Sequence, residues 1–136
     1  MKGILMLMLI CGSALQYTQA QYRYDNKLFS TVYIDDLCEE LKNNPGYLLL
    51  DVRTRGEFHD TSSSASLNIG HLKGAVNIDN QEREKRWKEL LHYKDKPIFI
   101  YCSHSQRSRV FSKFLVDSGF TNIINVNGAM TEFNLL

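Results

Sequence analysis

The sequence predicts an α/β domain with a central, mostly parallel five-stranded sheet flanked by helices. Short apolar runs rich in β-branched residues alternate with segments of helical periodicity along most of the chain. The run at 47–52 is too apolar to have one face in water, which is typical of a central parallel strand, and the run at 97–100 has the length and β-branched content of a buried strand. The other strands are predicted at 31–34, 75–78 and 123–126. Alternation of strands with helices places the domain in the α/β class.

The first 20 residues differ in composition from the rest of the chain. They begin with a short positive segment at Lys2, continue with an apolar run at 4–11 and end in a tail of small and polar residues at Ala20. This order is typical of a secretory signal that is cut after Ala20. The apolar run is much shorter than the ~20 residues that span a bilayer, so no integral membrane span is expected. The sequence therefore predicts an exported protein, periplasmic or extracellular, with a lead at 21–30 and one domain at 31–136.

A lipid anchor through Cys11 is the minor alternative to a cleaved signal. A lipobox needs a small residue directly before its cysteine, and Ile10 is not small. Loss of residues 1–20 would remove one lysine from a chain with 16 basic and 15 acidic residues, so the exported form is close to neutral. That balance argues against nucleic acid or an acidic membrane surface as a partner.

The exported form would keep two cysteines, Cys38 and Cys102. Cys38 is predicted to be a buried structural thiol on a short helix that has Asp35 as its N-cap, because Leu37 and Leu41 have helical spacing. The two thiols lack the paired spacing of a zinc site, and neither H-E-x-x-H nor a carboxylate cluster is present. No metal or other cofactor is expected.

The loop after the apolar run at 97–100 carries the candidate catalytic residue, Cys102. Residues 108–116 then return apolar side chains at helical spacing, so the order is strand, tight loop, helix. In such sheets ligands bind at the carboxyl ends of the strands, where this loop lies. The amides and dipole at the start of the helix favour a thiolate on Cys102, which predicts a nucleophile.

The six residues after Cys102 are predicted to bind the substrate, because an anion-binding loop needs many donors and little bulk. Arg107 adds a fixed cation whose planar donors suit a sulfonate, sulfate or phosphate group. A cysteine that is only a buried apolar residue does not explain such a loop. The pattern alone suits a sulfur-transfer enzyme or a phosphatase. The six residues are Ser103, His104, Ser105, Gln106, Arg107 and Ser108.

Three ordered motifs resemble the signature segments of the rhodanese family. They are D-V-R-T-R-G-E-F at 51–58, G-H-L-K-G-A-V-N-I at 70–78 and Y-C-S-H-S-Q-R-S at 101–108, and the resemblance covers about residues 31–134. It implies the three-layer rhodanese fold and a single-domain sulfurtransferase. Cys102 would take the outer sulfur of a small anionic donor such as thiosulfate and become a persulfide. The acceptor would be cyanide or a thiol, including a protein thiol.

The resemblance also assigns supporting residues and favours sulfur chemistry over phosphatase chemistry. Cys102 and Arg107 form C-x4-R, the loop length of sulfur-handling rhodaneses, whereas their phosphatase relatives carry C-x5-R. Asp51 and Arg53 belong to the family's loop network beside the site, with a structural ion pair as the expected role of Arg53. His71 is expected to order a turn through a hydrogen bond rather than to act as an acid or base.

Two loop residues depart from the family pattern. Ser105 stands where glycine is usual, and at positive φ it would cost about 1 kcal/mol. Alternatively, its hydroxyl donates towards the substrate. His104 stands where serine is common, and an exposed side chain without a role is as well supported as one that binds the donor or steers the acceptor.

The chain also contains a Ser-rich insertion at 59–69, where most relatives have only a few residues. It is predicted to be either a flexible loop or a mobile lid over the cleft. A charged helix is expected at 81–92, with Trp87, Leu90 and Leu91 facing inward, and a short terminal helix near 130–133. The rival to an enzyme is a sulfur-carrier or partner-binding module of the cell envelope that does not turn over.

Overall fold

The computed structural model describes residues 28–128 and residue 130. Five strands form one sheet in the order β1-β5-β4-β2-β3, and every neighbouring pair is parallel. The strands are β1 (Ser30–Tyr33), β2 (Leu48–Asp51), β3 (Val76–Asn77), β4 (Ile98–Tyr101) and β5 (Ile123–Asn127). The predicted fold class is confirmed, and each strand lies within two residues of its predicted bounds.

Short helices and 3₁₀ turns connect the strands. The helices are α1 (Leu37–Asn43), α2 (Arg55–Phe58), α3 (Arg83–Arg86) and α4 (Gln106–Asp117). The 3₁₀ turns are Ile34–Asp36, Ala65–Leu67, Asn80–Glu82 and Trp87–Tyr93. Of these elements, α4 is the longest, and it follows directly on the loop that contains Cys102.

The two central strands divide the core into two layers. All residues of β2 and β4 are buried, as predicted for central parallel strands. Because side chains alternate along a strand, Ile98 and Ile100 pack under α4, whereas Phe99 and Tyr101 face the opposite layer with Leu37. The sheet is thus covered on both faces, and its carboxyl edge remains as the place for a site.

The first helix corrects two predictions. Asp35 is not an N-cap, since it lies inside the 3₁₀ turn Ile34–Asp36 and α1 begins at Leu37. Cys38 is exposed rather than buried. The reason is rotational: α1 turns Leu37 into the core, and the next residue along a helix lies about 100° around the axis, away from the core.

The segment predicted as one helix at 81–92 is a 3₁₀ turn, the single turn α3 and a second 3₁₀ turn. Trp87 packs against the core, with its ring edge-on to Phe120 at 6.5 Å, and Leu90 is buried. Leu91 is 47% exposed, so its predicted inward position is wrong. A 3₁₀ turn has three residues per turn, which aligns Trp87 with Leu90 and leaves Leu91 outside.

The predicted signal (1–20) and most of the lead (21–30) lie outside the described residues, as does most of the terminal helix expected near 130–133. Met130 is described and is buried. Within 28–128 and at residue 130, no helix has the length and apolar character needed to cross a membrane.

Candidate active site

Cys102 lies where the buried strand β4 ends and the loop into α4 begins. Its side chain is held by a buried hydroxyl. Sγ donates to Ser108 Oγ at 3.6 Å, and Ser108 Oγ donates to the Ser105 carbonyl at 3.1 Å. The Met130 amide donates to the Cys102 carbonyl at 3.3 Å. Ser108 is fully buried, so its hydroxyl contacts the sulfur from inside the fold.

A cavity of about 320 Å³ opens over Cys102, and it brings together most of the residues predicted from the loop. Cys102 itself is only 1% exposed, so the sulfur lies at the base of the cavity. Ser105 and Ser108 are buried beneath it and do not line it. The lining residues are Leu67, Cys102, Ser103, His104, Gln106 and Arg107.

The loop ends at the N-terminus of α4, which spans 12 residues from Gln106. The amides of its first turn have no partner within the helix, and the aligned peptide dipoles place partial positive charge there. An anion in the cavity, or a thiolate on Cys102, is therefore stabilised from the helix side.

Ser105 adopts the left-handed conformation expected where relatives carry glycine, with φ of 68°. Its hydroxyl accepts a hydrogen bond from the Gly128 amide at 2.9 Å. This bond ties the loop to the end of β5 and offsets the strain, which is about 1 kcal/mol for a non-glycine residue in this region. The structure thus places the Ser105 hydroxyl against Gly128 rather than in the cavity.

Arg107 is held by a carboxylate that the sequence analysis did not single out. Its Nη1 donates to Glu57 Oε2 at 2.6 Å and its Nη2 to Glu57 Oε1 at 2.8 Å. Nη2 also donates to Ser103 Oγ at 2.7 Å. Glu57 is 2% exposed. In the sequence Glu57 stands out only as part of the motif at 51–58, and in the structure it completes a capping box with Thr54 at the start of α2. The T-x-x-E spacing is a signal for a helix start and not for an ion pair.

The ion pair fixes the charges of both groups. Burial pushes the pKa of Glu57 upward, but hydrogen bonds from Arg107 and Thr54 outweigh burial and lower the pKa to about 2. The hydrogen bonds that Arg107 donates to Glu57 raise the pKa of Arg107, burial lowers it, and the charge of Glu57 raises it further. At neutral pH the rim of the cavity therefore carries a complete cation–anion pair.

A second Arg–carboxylate pair lies where β2 ends. Arg53 Nη2 donates to Asp51 Oδ2 at 2.7 Å and to the Gly70 carbonyl at 2.7 Å, and both side chains are fully buried. Asn77 donates to the carbonyls of Asp51 and Arg53. Burial alone would lower the pKa of Arg53, but the bond and charge of Asp51 raise it. The geometry is that of a structural ion pair, the role expected for Arg53.

His71 is exposed and lies outside the cavity lining. Its Nδ1 is 2.9 Å from the Phe58 carbonyl oxygen, and its ring stacks on Phe58 with centroids 3.9 Å apart. These contacts hold together the two ends of the insertion, in line with the expected ordering role. Tyr101, which was not singled out, accepts a hydrogen bond from the Leu72 amide at 3.1 Å and fixes the same region from below.

The insertion at 59–69 is built from hydrogen bonds and a 3₁₀ turn. The Ser62 amide donates to Asn68 Oδ1 at 2.9 Å, and Asn68 Nδ2 donates to the Ser62 carbonyl at 3.0 Å. The Gly70 amide donates to Asp60 Oδ1 at 2.8 Å. The turn Ala65–Leu67 places Leu67 in the cavity wall. The insertion therefore adjoins the cleft as predicted, and its opening as a lid stays a prediction.

Across the part of the chain that the structure describes, no group of three or more His, Cys, Asp or Glu side chains is arranged to hold a metal ion. The polar groups that line the cavity are the Cys102 thiol, the His104 imidazole, hydroxyl and amide groups, and the paired Arg107 cation.

Comparison with known proteins identifies the family. The family of the rhodanese-like domain matches residues 35–136, so the chain belongs to the rhodanese family, whose members are sulfurtransferases. The chain is 30% identical over 132 residues to the uncharacterized protein YqhL of Bacillus subtilis, which covers 95% of this chain and 91% of that protein.

Two further similarities concern a longer protein and a solved structure. The chain is 33% identical over 99 residues to the probable molybdopterin-synthase adenylyltransferase of Porphyra purpurea, covering 72% of this chain and only 23% of that protein. The crystal structure of a rhodanese-related protein from Thermoplasma volcanium aligns with a TM-score of 0.61 and 28% identity, covering 79% of this chain and 92% of that one.

Proposed function

We propose that this protein is a sulfurtransferase that moves sulfane sulfur from thiosulfate or a related donor to a thiol or cyanide acceptor through a persulfide on Cys102. The observation that carries the proposal is the position of Cys102 at the base of a cavity, between the end of β4 and the N-terminus of α4. A thiol in that position gains anion stabilisation from the helix and access from one side only.

Two displacements at sulfur make up the reaction. The Cys102 thiolate attacks the outer sulfur of the donor, the S–S bond of the donor breaks, and its electron pair leaves with the rest of the donor, as sulfite when the donor is thiosulfate. An acceptor thiolate or cyanide then attacks the outer sulfur of the persulfide, and Cys102 leaves as a thiolate. The N-terminus of α4, which follows the loop directly, stabilises that leaving group.

Mass spectrometry of the intact protein after donor treatment tests the proposal directly. One added sulfur on Cys102, followed by its loss to cyanide as thiocyanate, is the expected result. Cys102→Ser should abolish both steps, because no other described thiol lies in the cavity. Cys38→Ser is the matched control and should keep nearly full activity, since Cys38 is exposed on α1. Equal loss in both variants would contradict a mechanism with one nucleophile.

A second candidate function is a sulfur carrier or partner-binding module without useful turnover. The match to 23% of a much longer protein favours it, because there the similar segment is only one part of a larger chain. Under this alternative Cys102 would gain the sulfur and keep it when cyanide is supplied. The same experiment therefore separates the two functions.

We also propose that the protein is exported, on the basis of residues 1–20. Expression with its own N-terminus, followed by mass analysis of the cell-envelope and culture fractions, should give a form that begins at Gln21. A protein that retains Met1 and residues 2–20 in the cytoplasm would contradict export.

A further inference from the structure

The cation at the rim of the cavity is already neutralised. Both terminal nitrogens of Arg107 donate to the two oxygens of Glu57. The N–H edge of the guanidinium that suits a sulfonate is therefore already bonded to a carboxylate of the protein. Arg107 is the one Lys or Arg among the described lining residues of the cavity. The net formal charge of this rim is therefore zero before a donor enters.

Glu57 is held in place independently of Arg107. Its Oε2 accepts from the Thr54 amide at 3.0 Å and from Thr54 Oγ1 at 2.9 Å, and its own amide donates back to Thr54 Oγ1 at 3.2 Å. The Glu57 side chain is 3% exposed. A donor that displaced Glu57 from Arg107 would leave a buried carboxylate without its cation. Such an unpaired buried charge has a high free-energy cost, so the displacement is unfavourable.

We infer that Glu57 selects the sulfur donor: by neutralising Arg107 it disfavours sulfonate donors such as thiosulfate and leaves the site to low-molecular-weight persulfides, R–S–SH. This inference rests on the proposed function and narrows its donor. Once Cys102 is ionised, the site is net negative, and a dianion such as thiosulfate meets more repulsion than a singly charged or neutral persulfide group. Leu67 supplies an apolar contact on the cavity wall for the organic part of such a donor.

The sulfur balance of the step requires no other reactant. The Cys102 thiolate attacks the outer sulfur of R–S–SH, a new S–S bond forms at Cys102, and the S–S bond of the donor breaks. The electron pair of that bond leaves as the thiolate R–S⁻, which takes up a proton from water. One sulfane sulfur is transferred at constant overall oxidation state.

Single-turnover loading of Cys102, followed by mass spectrometry, tests the role of Glu57. The second-order rate constants for glutathione persulfide and for thiosulfate are measured in the wild type and in Glu57→Gln. In Glu57→Gln the ratio of the persulfide rate constant to the thiosulfate rate constant should fall by about tenfold or more, mainly because thiosulfate loads Cys102 faster. Since the intrinsic reactivity of each donor is the same with both proteins, the change in the ratio reports the charge of the site.

Glu89→Gln is the matched control. Glu89 is an exposed carboxylate that pairs with Arg86 at 2.8 Å, so this variant removes the same charge and the same kind of ion pair away from the cavity lining. It should leave the donor ratio unchanged. A ratio in Glu57→Gln within twofold of wild type, in a protein with native circular dichroism, would overturn the inference.

Sulfate competition gives a second readout that needs no variant. If Arg107 is neutralised, about 10 mM sulfate should slow persulfide loading of the wild type by less than twofold at constant ionic strength. Strong competition at low millimolar sulfate would show that the cation is available to oxyanions and would overturn the inference, even if Glu57→Gln does not fold. If neither donor adds sulfur to Cys102, the proposed function itself fails.

Discussion

Two bidentate Arg–carboxylate pairs lie near the carboxyl edge of the sheet, and their surroundings differ. Arg53 and Asp51 are both fully buried, two residues apart, and further bonded to the Gly70 carbonyl and to Asn77 through the backbone. Arg107 and Glu57 are 50 residues apart, and the Arg107 side chain is 30% exposed at the cavity. The first pair holds the strand end in shape, whereas the second determines the charge that a ligand meets.

The difference shows that the role of an ion pair depends on where it lies in the fold. A fully buried pair mainly makes its own disruption costly. A pair on a cavity rim also changes the electrostatic potential inside that cavity, so its loss alters the reaction with charged substrates as well as the stability of the fold. Three substitutions, in order of decreasing effect, test this distinction.

Arg53→Ala should have the largest effect on stability. It leaves Asp51 as a buried carboxylate without its cation, which typically costs about 3–5 kcal/mol, and it removes the bond to Gly70. Urea unfolding should show this loss, and the folded fraction should load sulfur at near the wild-type rate. Arg86→Ala, which breaks exposed pairs, should cost less than about 1 kcal/mol. A loss in Arg53→Ala as small as in this control would contradict a structural role.

The Glu57 pair should make stability depend on acid pH. The pKa of Glu57 is about 2 in the folded protein and 4.5 as its ordinary value, so between these values the unfolded chain binds more protons. The stabilisation is complete above about pH 4.5 and is lost as pH falls through 2, with an upper bound of about 3 kcal/mol.

Urea titrations at several pH values between 6 and 2 measure this contribution. The free energy of unfolding should fall less steeply towards low pH in Glu57→Gln than in the wild type. Parallel curves for the two proteins would mean that Glu57 does not contribute to acid sensitivity.

The smallest effect is expected from Asn68→Ala, in the insertion that joins the two pairs between Phe58 and Gly70. It removes the reciprocal bonds with Ser62 and should cost about 1–2 kcal/mol. Leu67 lines the cavity and is the residue before Asn68 in the chain. The rate of sulfur transfer to a bulky or protein thiol should therefore change, whereas the rate with a small acceptor should not, because a small acceptor needs no movement of this wall. Transfer rates measured with cyanide as the small acceptor and thioredoxin as the protein thiol test this difference. Identical changes for both acceptors would argue against a lid.

The sequence predicted what depends on local spacing and missed what depends on tertiary placement. The strand, loop and helix around Cys102 follow from periodicity, and Asp51 and Arg53 are close enough in the chain for their pairing to be expected. Glu57 meets Arg107 only because α2 packs beside the start of α4, which no local pattern encodes.

The incorrect predictions have two causes. The predicted positions of Asp35 and Leu91 assume regular α-helices, but both residues lie in 3₁₀ turns, which rotate side chains by a different angle per residue. Cys38 lies in the regular helix α1, and the spacing of Leu37 and Leu41 places those two side chains on the buried face without placing Cys38 there.

The packing of Trp87 against Phe120 supplies an optical probe for these experiments. Trp87 is the single tryptophan of the chain, it is half-buried, and its ring meets Phe120 edge-on. Its fluorescence emission should therefore shift to longer wavelength when the core opens and the indole becomes hydrated. One intrinsic chromophore then reports unfolding in every variant named above, and no label has to be attached to a thiol.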